Sequence, residues 1–115
     1  MELKKIVTKL GLEAATGEDG LEREVKSGYV SDLLSDVMAH AGDSALWITI
    51  QTHTNIVAVC SLNDLAGVLI ANGKKPSDET ISKAQEEGVP ILLSEESSFD
   101  LIGQLYKMGV RGKQG

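Results

Sequence analysis

Apolar positions along the chain change period several times, and each change predicts a new element. Leu3, Ile6, Val7 and Leu10 recur at helical spacing and predict a short helix over residues 2–10, ended by Gly11. Residues 12–15 read as a short strand before the turn-rich run Thr16-Gly17-Glu18-Asp19-Gly20, and Arg23 to Tyr29 alternates loosely as a second strand. Ser31 or Asp32 is placed to cap a helix whose apolar face is Leu33, Leu34, Val37, Met38 and Ala41, broken by Gly42-Asp43. Leu46-Trp47-Ile48-Thr49-Ile50 has the β-branched and aromatic content of a strand. The apolar run that follows fits a helix over residues 55–63, opened by Thr52-His53-Thr54-Asn55, but its period also allows a strand.

The second half is more regular. Ala66-Gly67-Val68-Leu69-Ile70 is nearly all apolar, as in a strand buried on both faces, and Asn72-Gly73 ends it. Pro76-Ser77-Asp78-Glu79 carries a cap and an acidic first turn, starting a helix that runs to Glu87 and closes at Gly88. Pro90-Ile91-Leu92-Leu93 is the last strand. Ser97 or Ser98 then caps a helix bearing Phe99, Leu101, Ile102, Leu105, Tyr106 and Met108; Gly109 stops it, and residues 110–115 read as a loose tail. Strand and helix alternate over residues 46–108, which predicts a single layered α/β domain with a mostly parallel sheet flanked by helices.

Composition narrows the functional classes. The 115 residues are 42% hydrophobic and 24% charged, a globular balance with enough chain for one core. A net charge of −6 argues against nucleic acid, whose phosphates call for clustered Lys and Arg. No run approaches the ~20 apolar residues of a membrane span. The opening Met1-Glu2-Leu3-Lys4-Lys5 lacks a signal-peptide apolar stretch, so a cytoplasmic location is expected. The one cysteine, Cys60, lies in an apolar run and reads as a small buried hydrophobe.

In parallel sheets ligands gather at the carboxyl ends of strands. That rule selects Tyr29, Ser31 and Asp32, then Thr52, His53 and Thr54, then Asn72, Gly73, Lys74 and Lys75, with Ser94-Glu95 completing the rim. Free helix N–H groups near Lys74 and Lys75 would suit a nucleotide or other small anion; a solvated turn is the simpler account of Gly73-Lys74-Lys75. Gly67 to Gly73 fails as a phosphate-cradling loop, because five residues separate the glycines and no Ser or Thr follows Lys74. His53 could meet Asp32 or Asp36, which at a spacing of four would share a helix face, in a metal-dependent phosphohydrolase; charge shown to water and a helix-capping histidine are the simpler account. No hydrolase triad, metal motif or cofactor motif stands out, and a chain without catalysis of its own is expected.

The segments 28–36, 46–53, 65–76 and 88–92, in this order and spacing, resemble the DRTGG domain family from the first helix to Met108. The resemblance implies the α/β fold of the N-terminal domain of HPr kinase/phosphorylase and a regulatory role, with chemistry left to neighbouring domains. It implies for this chain a stand-alone regulatory or ligand-sensing module acting through protein contacts; apart from the resemblance, a small domain with few aromatics can gain stability by pairing, so a homodimer is expected. Gln51-Thr52-His53 stands where relatives commonly carry Gly-Asp-Arg, and Ala71-Asn72-Gly73 where they often carry Thr-Gly-Gly.

Overall fold

The computed structural model describes residues 1–113. In chain order the elements are α1 (Leu3–Leu10), β1 (Glu13–Thr16), a 3-10 turn (Glu18–Gly20), β2 (Ser27–Val30), α2 (Leu34–His40), β3 (Ala45–Thr49), α3 (Asn55–Leu62), β4 (Gly67–Ile70), α4 (Asp78–Glu87), β5 (Ile91–Leu93) and α5 (Ser98–Lys107). They form one sheet in the order β1-β5-β4-β3-β2, with β2 to β5 parallel and β1 antiparallel to β5.

The continuous apolar runs follow from burial on both faces. Trp47, Val68, Ile70, Ile91 and Leu93 face one way, into a core closed by Val37 of α2, Ile56, Val57, Val59 and Cys60 of α3, and Ala84 of α4. Leu46, Ile48, Leu69 and Leu92 face the other way, against Leu3 and Ile6 of α1 and Leu101 and Leu105 of α5. Three helices thus cover one face and two the other. Residues 55–63, whose period allows helix or strand, form a helix, apolar on several sides because it packs between α2 and α4. Burial pushes the Cys60 thiol up to about 12, so it stays protonated and inert at neutral pH.

Several expectations are corrected. Leu33 is extended (φ −96°, ψ 110°) and α2 starts only at Leu34. The apolar face expected for this helix therefore splits: Val37 and Ala41 are buried, while Leu33 and Met38 lie 64% and 48% exposed. At the sheet edge above β2, α2 has a helical neighbour on one side only, and its outer flank stays wet. Arg23 to Lys26 is not part of β2. It runs beside the chain start, with Leu3 N–H donating to Arg23 O (2.9 Å) and Val25 N–H to Met1 O (2.8 Å). The Arg23 guanidinium meanwhile reaches Asp64 Oδ1 (3.0 Å) and Ser44 Oγ (2.9 Å).

The expected loose tail is docked over its described part. Val110 N–H donates to Leu105 O, Gly28 N–H donates to Arg111 O at 2.9 Å, and Val110 packs into the second core. The strap thereby occupies a backbone donor on the open edge of β2. Gln114 and Gly115, the end of that expected tail, lie outside the described residues.

Candidate functional site: the strand-end rim

Parallel pairing in register carries the ends of β2, β3, β4 and β5 to one edge of the sheet. The chain leaving each strand stays tied to its neighbour: Ser31 N–H reaches Ile48 O (3.4 Å), Ala71 N–H reaches Thr49 O (2.9 Å) and Ser94 N–H reaches Ile70 O (3.1 Å). The rim expected from the sequence therefore exists as a row of adjacent loops, 31–33, 50–54, 71–77 and 94–97.

At one end the polar groups close on each other. Asp32 Oδ1 accepts from Thr49 Oγ1 (2.7 Å) and Ile50 N–H (2.9 Å), and its carbonyl accepts from Gln51 Nε2 (2.8 Å). Because α2 begins after it, Asp32 does not share a helix face with Asp36, contrary to the expectation from their spacing. Ser31 Oγ accepts from Leu33 N–H (3.1 Å), and Ser31 O accepts from Trp47 Nε1 (2.8 Å). Tyr29 packs against the core beneath α2, and its hydroxyl donates to Asp36 Oδ2 at 2.8 Å.

That last bond has a pH signature. Donation by Tyr29, with Ser31 acting in the same direction, holds the Asp36 carboxyl below its ordinary 3.8. Near that pH the native state binds fewer protons at this site than the unfolded chain does. The stabilisation is therefore present above the ordinary value and lost as pH falls through the lowered native one. Asp36→Asn is expected to flatten the acid limb of the stability curve in urea titrations at successive pH values; an unaltered limb contradicts it. The same bond raises the Tyr29 phenol above 10.0, so its alkaline counterpart is lost only as pH climbs through that raised value.

In the middle of the row, Thr52 offers its carbonyl to Thr80 Oγ1 (2.8 Å), and His53 Nδ1 accepts from Asn55 N–H (3.2 Å) at the start of α3. Thr54 occupies the cap position without a side-chain bond to the helix. His53 works as a helix-start acceptor; its hydrogen-bond partners are local, and neither Asp32 nor Asp36 is among them. No group of three or more potential metal-binding side chains occurs among the described residues.

At the far end Asn72 and Gly73 both adopt left-handed φ (65° and 69°), and Gly73 N–H donates to Ser94 O (2.9 Å). A Cβ on Gly73 would stand 3.1 Å from Glu95 Oε1. Lys75 Nζ lies 3.8 Å from Glu95 Oε2, and the next helix, α4, opens with Asp78 and Glu79. Glu95 thus answers the charge of Lys75. Thr49 and Thr80, which tie the loops together, were missed as rim residues; only Thr80 had a signal, three residues after the Ser77 cap.

A five-stranded sheet with one antiparallel edge and helices on both faces defines a layered α/β domain. Among known families, residues 5–108 match the DRTGG domain family. The chain belongs to that family. A solved structure with the same fold holds the CBS and DRTGG domains of the regulatory region of Clostridium perfringens pyrophosphatase, complexed with the activator diadenosine tetraphosphate. The two superpose with a TM-score of 0.69 at 18% identity, over 89% of this chain and 44% of that one. This chain therefore spans less than half the length of that regulatory region. No helix among the described residues is long and apolar enough to cross a membrane.

Proposed function

We propose that this chain is a regulatory module without catalysis of its own, which acts through protein contacts and pairs as a homodimer in the cytoplasm. The observation that carries the reading is the closed rim. Asp32 is engaged by Thr49 and Ile50, Asp36 by Tyr29, and His53 by the start of α3, which supports a structural use for the groups that an acid–base site would need free. Family membership supports the regulatory part. Light scattering on the intact chain from micromolar to millimolar concentration should give twice the chain mass. Monomer mass throughout would retire the dimer, and phosphatase or pyrophosphatase turnover lost in His53→Ala would retire the non-catalytic reading.

A second reading, a sensor of nucleotides or small anions using the rim loops, is favoured by the activator bound to the related regulatory region. Here Lys74 and Lys75 with Asn72, Gly73 and the Thr52–Thr54 loop would take the phosphates. Calorimetry with diadenosine tetraphosphate, ATP and a sugar phosphate tests it. Heat abolished by the double change Lys74→Ala, Lys75→Ala supports this reading; absence of heat at millimolar ligand removes it.

A further inference from the structure

The outer face of α5 is more apolar than its cover within the chain accounts for: Arg111 stacks on Tyr106, and Ile102 lies beside Val30, Ile48 and Val110, but much of the face stays open. Leu101 and Leu105 alone anchor the helix in the core, yet Phe99, Ile102 and Tyr106 stand 74%, 37% and 58% exposed. With Gly103 they follow the spacing i, i+3, i+4, i+7, which places all four on one stripe of the helix. Gly103 is the odd member. Mid-helix glycine is destabilising by about 1 kcal/mol relative to alanine, and nothing lies within 4 Å of where its Cβ would be, so no close approach inside the chain explains it. The stripe is thus a notch flanked by three large apolar side chains.

We infer that this stripe is the surface through which two copies of the chain pair, α5 against α5 in antiparallel fashion. The inference rests on the homodimer reading above and names its face. The argument for a second copy, and not another partner, is self-complementarity. With a twofold axis passing between Ile102 and Gly103, Ile102 of each copy enters the Gly103 notch of the other, and Phe99 of each meets Tyr106 of the other. Charge agrees with that register. Asp100 lies in the first turn and Lys107 in the last, on the same flank of α5. Reversing the partner helix brings Asp100 of one copy to within two residues, about 3 Å along the axis, of Lys107 of the other. Arg111, stacked 3.6 Å from the centroid of the Tyr106 ring, adds positive charge at that same end.

The test uses changes that separate pairing from folding. Gly103→Leu fills the notch from a backbone position where its Cβ meets nothing of its own chain within 4 Å, so thermal unfolding should stay cooperative, as for a folded chain, while light scattering shows the mass falling from dimer to monomer. Ile102→Glu should also give a folded monomer. Lys107→Glu should weaken dimerisation at least tenfold by sedimentation equilibrium, and adding Asp100→Lys should recover most of the loss. A native chain that is dimeric and stays equally dimeric in folded Gly103→Leu and Ile102→Glu overturns the α5 interface and leaves the homodimer reading standing. A native chain that is monomeric at every concentration overturns both.

Discussion

Replacing Trp47 by alanine is expected to be among the most damaging single changes in this protein, at about 4 kcal/mol. The indole is fully buried at the centre of β3, in the core shared with α2, α3 and α4, and no smaller side chain could fill its volume without a cavity. Its Nε1–H also donates to Ser31 O at 2.8 Å, fastening the β2–α2 loop to the sheet. Truncation leaves that carbonyl short of a partner and frees the loop that presents Asp32. Against a total stability of about 5–15 kcal/mol for a domain, the loss takes from about a quarter to most of the margin. Urea unfolding followed by circular dichroism measures the loss directly, since the change removes the only tryptophan. Trp47→Phe should cost well under half as much, because most of the packing survives. Equal costs for the two would refute the packing account.

The second large effect is expected at Gly17, where β1 turns into the 3-10 segment. Its φ is +69°, and a Cβ there would lie 2.5 Å from the nitrogen and 2.6 Å from the Cα of Pro90, with Val89 C at 2.7 Å. These are backbone atoms of the segment just before β5, so no side chain can swing away. Gly17→Ala must push β1 off β5, and two bonds depend on that seating: Thr16 Oγ1 donates to Val89 O (2.7 Å) and accepts from Ile91 N–H (3.0 Å). A cost above about 3 kcal/mol is expected, in the range reserved for named steric mechanisms. Gly11→Ala is the control, with a similar φ of +63° but nothing within 4 Å; left-handed strain alone should cost about 1–2 kcal/mol. If the two substitutions prove equally mild in thermal melts, the close approach is not what fixes β1.

What could be read from the chain follows from which physical signal each element carries. Strands β3, β4 and β5 were legible because burial on both faces demands uninterrupted apolar residues. Helix α4 was legible from its ends: Ser77 Oγ accepts from Thr80 N–H, and Gly88 closes the last turn, as the sequence suggested. The common rim followed once the strands were taken as parallel. Periodicity does not report the width of an apolar stripe, so the pattern places Leu33 and Met38 on one face with Val37 and Ala41, of which only the latter two are buried, and it does not separate the exposed Phe99, Ile102 and Tyr106 from the buried Leu101 and Leu105. The Asp32–Asp36 pairing failed for a local reason, a helix start displaced to Leu34 that left Asp32 outside the helix, where it bonds Thr49. Contacts between residues far apart in the chain, such as Gly28 with Arg111, carry no local pattern at all.

The sheet order has one more consequence, and it concerns how the chain is made. From β2 onward each strand pairs with the one just before it, so that part of the sheet can grow as the polypeptide lengthens. Strand β1 has no such partner. Its bonds go to Val89 and Ile91, 73 and 75 residues later, and Leu3 and Ile6 of α1 await the core closed by Leu92 and Leu101. During synthesis at about 5–20 residues per second, the first segment must idle for several seconds with its apolar side chains uncovered. Nascent molecules stalled before β5 should therefore be the ones that holdase chaperones retain.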